Sequence, residues 1–234
     1  RRDAEGKEGE NMRELAFCFG NSRSAKVWHP GKMTVEELWE KLQNPIRTAE
    51  TSAEYRAMKK SEKDAVKDKG GFLAGTLKGT RRKATEVVSR SMIALDYDRL
   101  KTGCFEAFDF PCFAIVYTTH SHTPEAPRAR ILMPLTRDIT PDECNAIARY
   151  LADEIGMDTV DLCSFKINQL MYWPTCSVDG EYICRKYEGD WLDPDAFLAQ
   201  HPDWQDCTSL PTALGEKEAV ERERKRQADP LGKE

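Results

Sequence analysis

The order of apolar and polar residues along the chain predicts a mixture of strands and helices. Short apolar runs of strand length cover residues 14–22, 92–97, 113–118, 130–135, 169–175 and 182–187. Apolar residues spaced three and four apart predict helices within residues 33–45 and 140–156. Residues 52–69 are polar and predict one or two surface helices, and Asp193-Pro194 begins a short last helix. No internal repeat interrupts this order.

Two of the predicted helices carry clear start and stop signals. Thr34 and Glu37 fit a capping box, in which each side chain bonds the backbone of the other residue. Thr140 and Glu143 repeat that pattern, and Gly156 ends the helix. These signals fix the helix boundaries more firmly than the strand boundaries.

Length and composition narrow the class of protein. The 234 residues are 40% hydrophobic and 32% charged, which suits one large domain or two small ones. A net charge of −5 gives no global sign of nucleic-acid binding, so any such surface must be a local patch. No apolar run approaches 18 residues, and the eight cysteines lack C-x-x-C spacing. The sequence therefore predicts no membrane segment and reduced, mostly buried thiols.

The strand predicted over residues 92–97 ends in two acids. Alternate strand residues share a face, so Asp96 and Asp98 point the same way as Met92 and Ala94. Two carboxylates on one face repel each other and require a cation, and Mg²⁺ or Mn²⁺ prefers such hard oxygen ligands. The alternative is a strand that runs out into a polar turn with both aspartates solvated.

A third acid further along the chain completes the candidate metal site. Asp161 lies just before the strand predicted over residues 169–175, and Asp158 competes with it for this role. Three carboxylates that bridge two metal ions are typical of nucleotidyl transfer.

A predicted hairpin concentrates phosphate-binding side chains. His120, Ser121 and His122 occupy its turn, and Arg128 and Arg130 share a face of the returning strand. Guanidinium groups bind phosphate in a bidentate manner, and a histidine can donate to phosphate or hold a metal. A polar surface hairpin is the alternative.

A glycine-punctuated basic segment precedes the acidic strand. The segment contains one acidic residue, Glu86, and five basic residues. The basic residues are Lys78, Arg81, Arg82, Lys83 and Arg90. They predict contacts to a phosphodiester backbone, and a flexible loop with solvated charges is the alternative. The glycines allow a strand or a nucleotide to approach the backbone closely, and they are Gly70, Gly71, Gly75 and Gly79.

The two ends of the chain read as tails. Residues 1–13 begin without Met and predict a disordered or vector-derived tail, as if the chain were a piece of a longer protein. Residues 212–234 are rich in charged side chains, and they predict a linker towards a missing C-terminal domain.

The chain resembles the archaeo-eukaryotic primase superfamily in the order of three features. These are the strand that ends in D-x-D, the polar hairpin, and the acid that precedes the strand containing LMYWPT. More closely, residues 17–234 resemble the primase-polymerase domains at the N-terminus of phage and mobile-element replication proteins of the virulence-associated protein E type. Each motif is short, but their order in one chain is specific to this family.

The resemblance implies a fold and a reaction. The fold would be α+β, with an RNA-recognition-motif-like antiparallel sheet packed on helices and an N-terminal α/β part that completes the cleft, over residues 14–211. The reaction would be template-directed nucleotidyl transfer with Mg²⁺ or Mn²⁺. The partners would be single-stranded DNA, nucleoside triphosphates and a C-terminal helicase domain, in the cytoplasm of a bacterial host.

The resemblance also implies residue roles. Asp96, Asp98 and Asp161 would hold the metals and carry catalysis. The nucleotide's triphosphate would contact Ser121, His122, Arg128 and Arg130. The match is imperfect, because Ser121 and His122 are adjacent whereas the superfamily usually has Ser-x-His. Either His122 or Arg130 can therefore fill the place of the superfamily's usual histidine. Asn168 and Gln169 stand where the superfamily often has an arginine.

Two other functions use the same residues. A rolling-circle initiator nuclease would employ His120-x-His122 with Tyr150 as the nucleophile. A non-catalytic DNA-binding module that loads a helicase would need the basic segment but not the aspartates.

Overall fold

The computed structural model describes residues 13–213 and Glu216, and it is an α+β structure. Its strands are β1 (Leu15–Gly20), β2 (His29–Met33), β3 (Ile46–Arg47), β4 (Gly71–Leu77), β5 (Val87–Tyr97), β6 (Ala114–Thr118), β7 (Ala129–Ile139), β8 (Met171–Tyr172), β9 (Thr175–Cys176) and β10 (Cys184–Tyr187). Its helices are α1 (Val35–Gln43), α2 (Ser52–Ala57), α3 (Lys60–Lys67), α4 (Cys104–Ala107), α5 (Pro141–Ile155) and α6 (Pro194–Ala199).

One large antiparallel sheet organises the molecule. Its strand order is β10-β6-β7-β5-β4-β1-β2, and β8 also pairs with β4. Strands β3 and β9 form a separate parallel pair. The N-terminal strands β1, β2 and β4 thus extend the sheet of the later strands.

Both faces of the sheet are buried. On β5, Ile93 and Leu95 join the core cluster that also contains Ile147 and Leu151 of α5. Met92 and Ala94 face the other way, into a cluster that includes residues of α1. Burial of each large apolar side chain stabilises the fold by about 1.5–3 kcal/mol. The alternation predicted for this strand is confirmed, although β5 begins at Val87 rather than at Met92.

The predicted helix boundaries are confirmed by their caps. Both capping boxes form, at Thr34 with Glu37 and at Thr140 with Glu143. Gly156 is the C-cap of helix α5: its N–H donates to Ala152 O, and its φ of 145° is one that favours glycine. Residues 52–69 contain two short helices, α2 and α3.

Two glycines of β4 are required by close packing of strands. A Cβ on Gly71 would lie 2.2 Å from Met171 O on β8. A Cβ on Gly75, which has a φ of 149°, would lie 2.0 Å from Ser89 O on β5. These glycines therefore serve strand packing.

The packed part of the chain reaches slightly beyond the predicted boundaries. Arg13 bonds Leu135 O and Asp138, and Glu216 pairs with Arg149. The remainder of the predicted 1–13 tail and of the predicted linker, apart from residues 212, 213 and 216, lies outside the described residues. In the described part, no helix is long and apolar enough to cross a membrane. All eight cysteines are free thiols, and four are buried.

Candidate active site

The register of three neighbouring strands brings an aspartate and an arginine together. Asp96 on β5 lies opposite Arg130 on β7, which lies opposite Tyr117 on β6. Arg130 Nε donates to Asp96 Oδ2 over 3.1 Å. A second nitrogen of Arg130 donates to Tyr172 O on β8 over 3.2 Å. The buried guanidinium thus connects the acidic strand to the segment that follows Asp161.

The Asp96 carboxylate is buried, and its hydrogen bonds and ion pair do not fully offset the cost of removing it from water. Burial raises its pKa, Arg130 opposes that shift, and the charges of Asp98 and Asp161 add to it. The oxygen Oδ1 is buried and has no hydrogen-bond partner among the described residues. An unpaired carboxylate oxygen in a buried position is costly, so this position favours a cation.

Asp98 follows β5 directly and pairs with a different arginine. Arg128 donates to Asp98 Oδ1 over 3.0 Å, and the two side chains are 37% and 43% exposed. The two ion pairs therefore differ in environment. Asp96–Arg130 is buried, whereas Asp98–Arg128 is open to solvent and exchanges partners at low cost.

Asp161 reaches this site because its segment runs beside the end of β5. Asp161 N donates to Asp96 O over 2.7 Å, and Asp98 N donates to Thr159 O over 3.3 Å. Between Asp161 and the strand predicted over residues 169–175 lies a 3₁₀ turn (Leu162–Phe165), and Asp161 Oδ1 caps it by accepting from Cys163 N. The competing acid Asp158 is exposed, and it is not among the residues that line the cleft.

The three aspartates line one polar cleft. The other polar and aromatic side chains around this cleft belong to Lys67, Thr118, Thr119, His120, Ser121, Arg128, Arg130, Gln169, Tyr172, Trp173 and Thr175. Three acids and three permanent cations thus share a single opening.

The two histidines of the hairpin turn, His120 and His122, lie in different environments. His120 contacts Thr175 Oγ1 at 2.8 Å and Glu50 Oε1 at 3.0 Å, so both ring nitrogens are engaged. His122 is buried beside Phe105, and its Nδ1 accepts from Arg128 N. Burial lowers the pKa of both histidines. His120 and Ser121 line the cleft, but His122 does not.

The predicted basic segment divides into exposed and internal cations. Lys78, Arg81 and Lys83 are exposed. Arg82 is half-buried, stacks over Trp28 and donates to Asn168 O. Arg90 is 3% exposed and donates to Ala74 O and Ile167 O, both over 2.7 Å. Arg90 is therefore a cross-link inside the sheet, and its prediction as a DNA contact is wrong.

The cleft contains functional candidates that the sequence did not single out. Lys67 lines it from the end of α3, and Tyr172 and Trp173 line it from β8 and the residue that follows. Glu50 accepts from His120, Thr48 and Ser177 just outside it. Lys67 belongs to a helix rich in lysine, so no local signal distinguishes it.

The rolling-circle alternative requires Tyr150 beside the histidine pair. Tyr150 instead lies on α5, where its ring stacks on His201 with 3.7 Å between ring centroids. It does not line the cleft that His120 lines. The geometry gives no support to a tyrosine nucleophile.

The residues of the cleft fit a divalent metal ion. In residues 13–213 no group of three His, Cys, Asp or Glu side chains is arranged to hold an ion by itself. Mg²⁺, however, is usually bound by one or two carboxylates together with substrate phosphates and water. The unpaired Oδ1 of Asp96 and the exposed carboxylate of Asp98 meet that requirement.

Comparison with known proteins places the chain in a family. None of the curated proteins matches it. Among solved structures, the AEP domain of the primase-polymerase (PrimPol) of cyanophage S-2L matches with a TM-score of 0.41 and 16% identity, over 69% of this chain and 93% of that chain. The family model described as the VapE N-terminal domain matches residues 4–213. This match confirms the resemblance found in the sequence, and the chain belongs to the VapE N-terminal domain family.

Proposed function

We propose that this domain is a DNA-dependent primase-polymerase, which joins nucleoside triphosphates on a single-stranded template in phage or mobile-element replication. The observation that carries the proposal is the convergence of Asp96, Asp98 and Asp161 with Arg128 and Arg130 in one cleft. Carboxylates suit divalent cations, and guanidinium groups suit phosphates. Membership of the VapE N-terminal domain family supports the same function.

Asp96 and Asp98 would hold Mg²⁺ or Mn²⁺, with Asp161 as the third acid. The bound metal would supply a lowered pKa for the attacking 3′-hydroxyl and charge neutralisation for the pyrophosphate leaving group. The reaction forms a bond from the 3′-oxygen to the α-phosphorus and breaks the bond to pyrophosphate.

The arginines and Lys67 would bind the nucleotide's triphosphate. Arg128 is the best placed, because its present partner Asp98 is half-exposed and a phosphate competes for it readily. Arg130 is fixed by Asp96 and Tyr172 O, so it provides a stationary positive charge at the cleft floor. Ser121 adds a hydroxyl at the cleft wall.

The exposed cations Lys78, Arg81 and Lys83 would hold the template strand through its phosphates. In the full-length protein, a helicase domain would follow on the C-terminal side. This part of the proposal rests on the family and on the charged sequence at the end of the chain.

The test is nucleotide incorporation on single-stranded DNA with Mg²⁺ or Mn²⁺, with and without a primer. Asp96→Ala and Asp98→Ala are compared with Asp158→Ala, which removes an exposed acid outside the cleft. We expect product from the wild type and from Asp158→Ala, and none from the other two variants.

If the wild-type protein is folded and binds DNA but gives no product, the proposed polymerase activity is rejected. The function that then fits is a non-catalytic DNA-binding module. A covalent DNA–protein adduct that Tyr150→Phe abolishes would instead establish the initiator nuclease.

A further inference from the structure

A second pocket adjoins the catalytic cleft at the hairpin turn. His120, Ser121 and Arg128 line both cavities, so the two are neighbours with a common wall. The remaining lining of the second pocket comes mainly from α2 and α3 and from the hairpin turn.

The two cavities differ in charge. The catalytic cleft combines three aspartates with its cations. Among the described residues, the charged side chains that line the second pocket are Arg56, Lys63 and Arg128, and none is a carboxylate. The nearby acid Asp179 is held by Ser52, whose backbone N–H and hydroxyl donate to it over 2.7 and 2.9 Å. The second pocket therefore attracts an anion.

An unused hydrogen-bond donor lies in the wall of this pocket. His122 Nδ1 accepts from Arg128 N, so Nε2 carries the proton of the neutral ring. The His122 side chain is 1% exposed, and Nε2 has no hydrogen-bond partner among the described residues. The nearest acid, Glu181, is 3.7 Å away and half-exposed. Because this nitrogen is covered from solvent, the polar groups that a ligand in the open pocket can reach are the cations and the hydroxyls.

Hydroxyl groups complete a phosphate-binding lining. Ser121 Oγ lies 3.4 Å from the hydroxyl of Tyr55, whose ring packs on His120 with 4.2 Å between centroids. Lys63 Nζ is anchored to Arg56 O over 2.8 Å, which holds its ammonium group near the pocket. Cations and hydroxyls around one cavity suit the oxygens of a polyphosphate.

We propose that this second pocket binds the 5′-polyphosphate of the initiating nucleotide, so that the domain holds two nucleoside triphosphates side by side and starts chains without a primer. The inference rests on the proposed function. Joining two nucleoside triphosphates requires sites for two polyphosphates, and one of them must lie outside the metal-binding cleft. Because Ser121 and Arg128 line both cavities, the second pocket directly adjoins that cleft.

The test compares Arg56→Gln/Lys63→Gln with the control Lys59→Gln/Lys60→Gln. The control removes the same charge from exposed positions of the same segment that do not line the second pocket. The first readout is dinucleotide synthesis on single-stranded DNA, and the second is extension of a primer with a 5′-hydroxyl.

We expect the pocket variant to lose dinucleotide synthesis by about 10-fold or more, as for loss of charge-assisted bonds to phosphate. Primer extension should change by less than about 2-fold, and the control should change neither reaction. The wild type should also prefer a 5′-triphosphate to a 5′-hydroxyl on the first nucleotide. Equal losses in both reactions would assign the pocket to the incoming nucleotide and overturn the proposal, as would no loss in either.

A binding measurement separates this inference from the proposed function. Inorganic tripolyphosphate is titrated into the protein in the presence of a chelator, so that the cleft aspartates repel it. Binding that Arg56→Gln/Lys63→Gln weakens and the control does not would support the pocket even in a protein that makes no product. Failure of the wild type to bind tripolyphosphate would overturn the pocket whatever the polymerase result.

Discussion

Arg130 Nε donates to Asp96 Oδ2 over 3.1 Å across the β5–β7 pair, while Asp96 Oδ1 has no partner in the described structure. Both side chains are about nine-tenths buried. Burial would lower the pKa of Arg130, but Asp96 and Tyr117 outweigh it and the net shift is upward. The pair is thus a fixed cation beside a carboxylate that can still accept a second positive charge.

The buried pair should be far more important for stability than the exposed one. Arg130→Met leaves Asp96 as an uncompensated buried charge and should lower the free energy of unfolding by about 3–5 kcal/mol. Arg128→Met breaks the half-exposed pair with Asp98 and should cost about 1 kcal/mol or less. Urea unfolding at pH 7 measures both. Similar small losses in the two variants would contradict the buried pairing.

Gly75 should be intolerant of a side chain. Gly75→Ala places a methyl group 2.0 Å from Ser89 O at a φ of 149°, and it should destabilise the protein by at least about 2 kcal/mol. The control is Gly79→Ala, where the nearest atom lies at 3.4 Å and the expected change is within about 0.5 kcal/mol. Thermal unfolding of the two variants checks this, and an unaffected Gly75→Ala protein would disprove the close approach of β4 and β5.

The basic segment should separate into DNA-binding and structural cations. Removing Lys78, Arg81 and Lys83 together by Gln substitution should weaken single-stranded DNA binding and reduce its logarithmic salt slope by about 2, with unchanged stability. Arg90→Gln should instead lower stability by about 1–3 kcal/mol, because a buried carbonyl of Ala74 and a partly buried carbonyl of Ile167 lose their donor. Salt-dependent affinity and urea unfolding distinguish the two effects. An unchanged salt slope in the triple variant would show that the template binds to another surface.

Stability should fall on mild acidification because of the hairpin histidines. Burial lowers the pKa of His120 and His122, so below the unfolded-state pKa of about 6.5 the unfolded chain binds more protons than the folded one. The loss begins as the pH falls through that value, with a slope of at most about 1.4 kcal/mol per pH unit for each histidine.

Unfolding measured between pH 7.5 and pH 5.5 tests this expectation. His122→Gln should flatten the dependence, whereas His29→Gln, at an exposed position of β2, should not. Identical profiles for the two variants would mean that His122 is not the titrating group.

Local patterns predicted most of the elements because they depend on neighbours in sequence. The alternation of Met92 to Tyr97 and the capping boxes at Thr34 and Thr140 each involve residues within five positions of one another. The D-x-D pair was predicted to end a buried strand, and it lies there. The strand β5, however, begins five residues earlier than predicted, which is why Arg90 was taken for a surface cation.

Partner choice between distant residues required the folded chain. Arg130 pairs with Asp96 and Arg128 with Asp98 because β7 returns beside β5 in one register, and no local pattern sets that register. The same packing separates His120 from His122 and brings Lys67, Arg56 and Lys63 to the hairpin from two polar helices. Short-range patterns thus singled out the aspartates and arginines of the candidate site, whereas burial and strand register determined which of them meet.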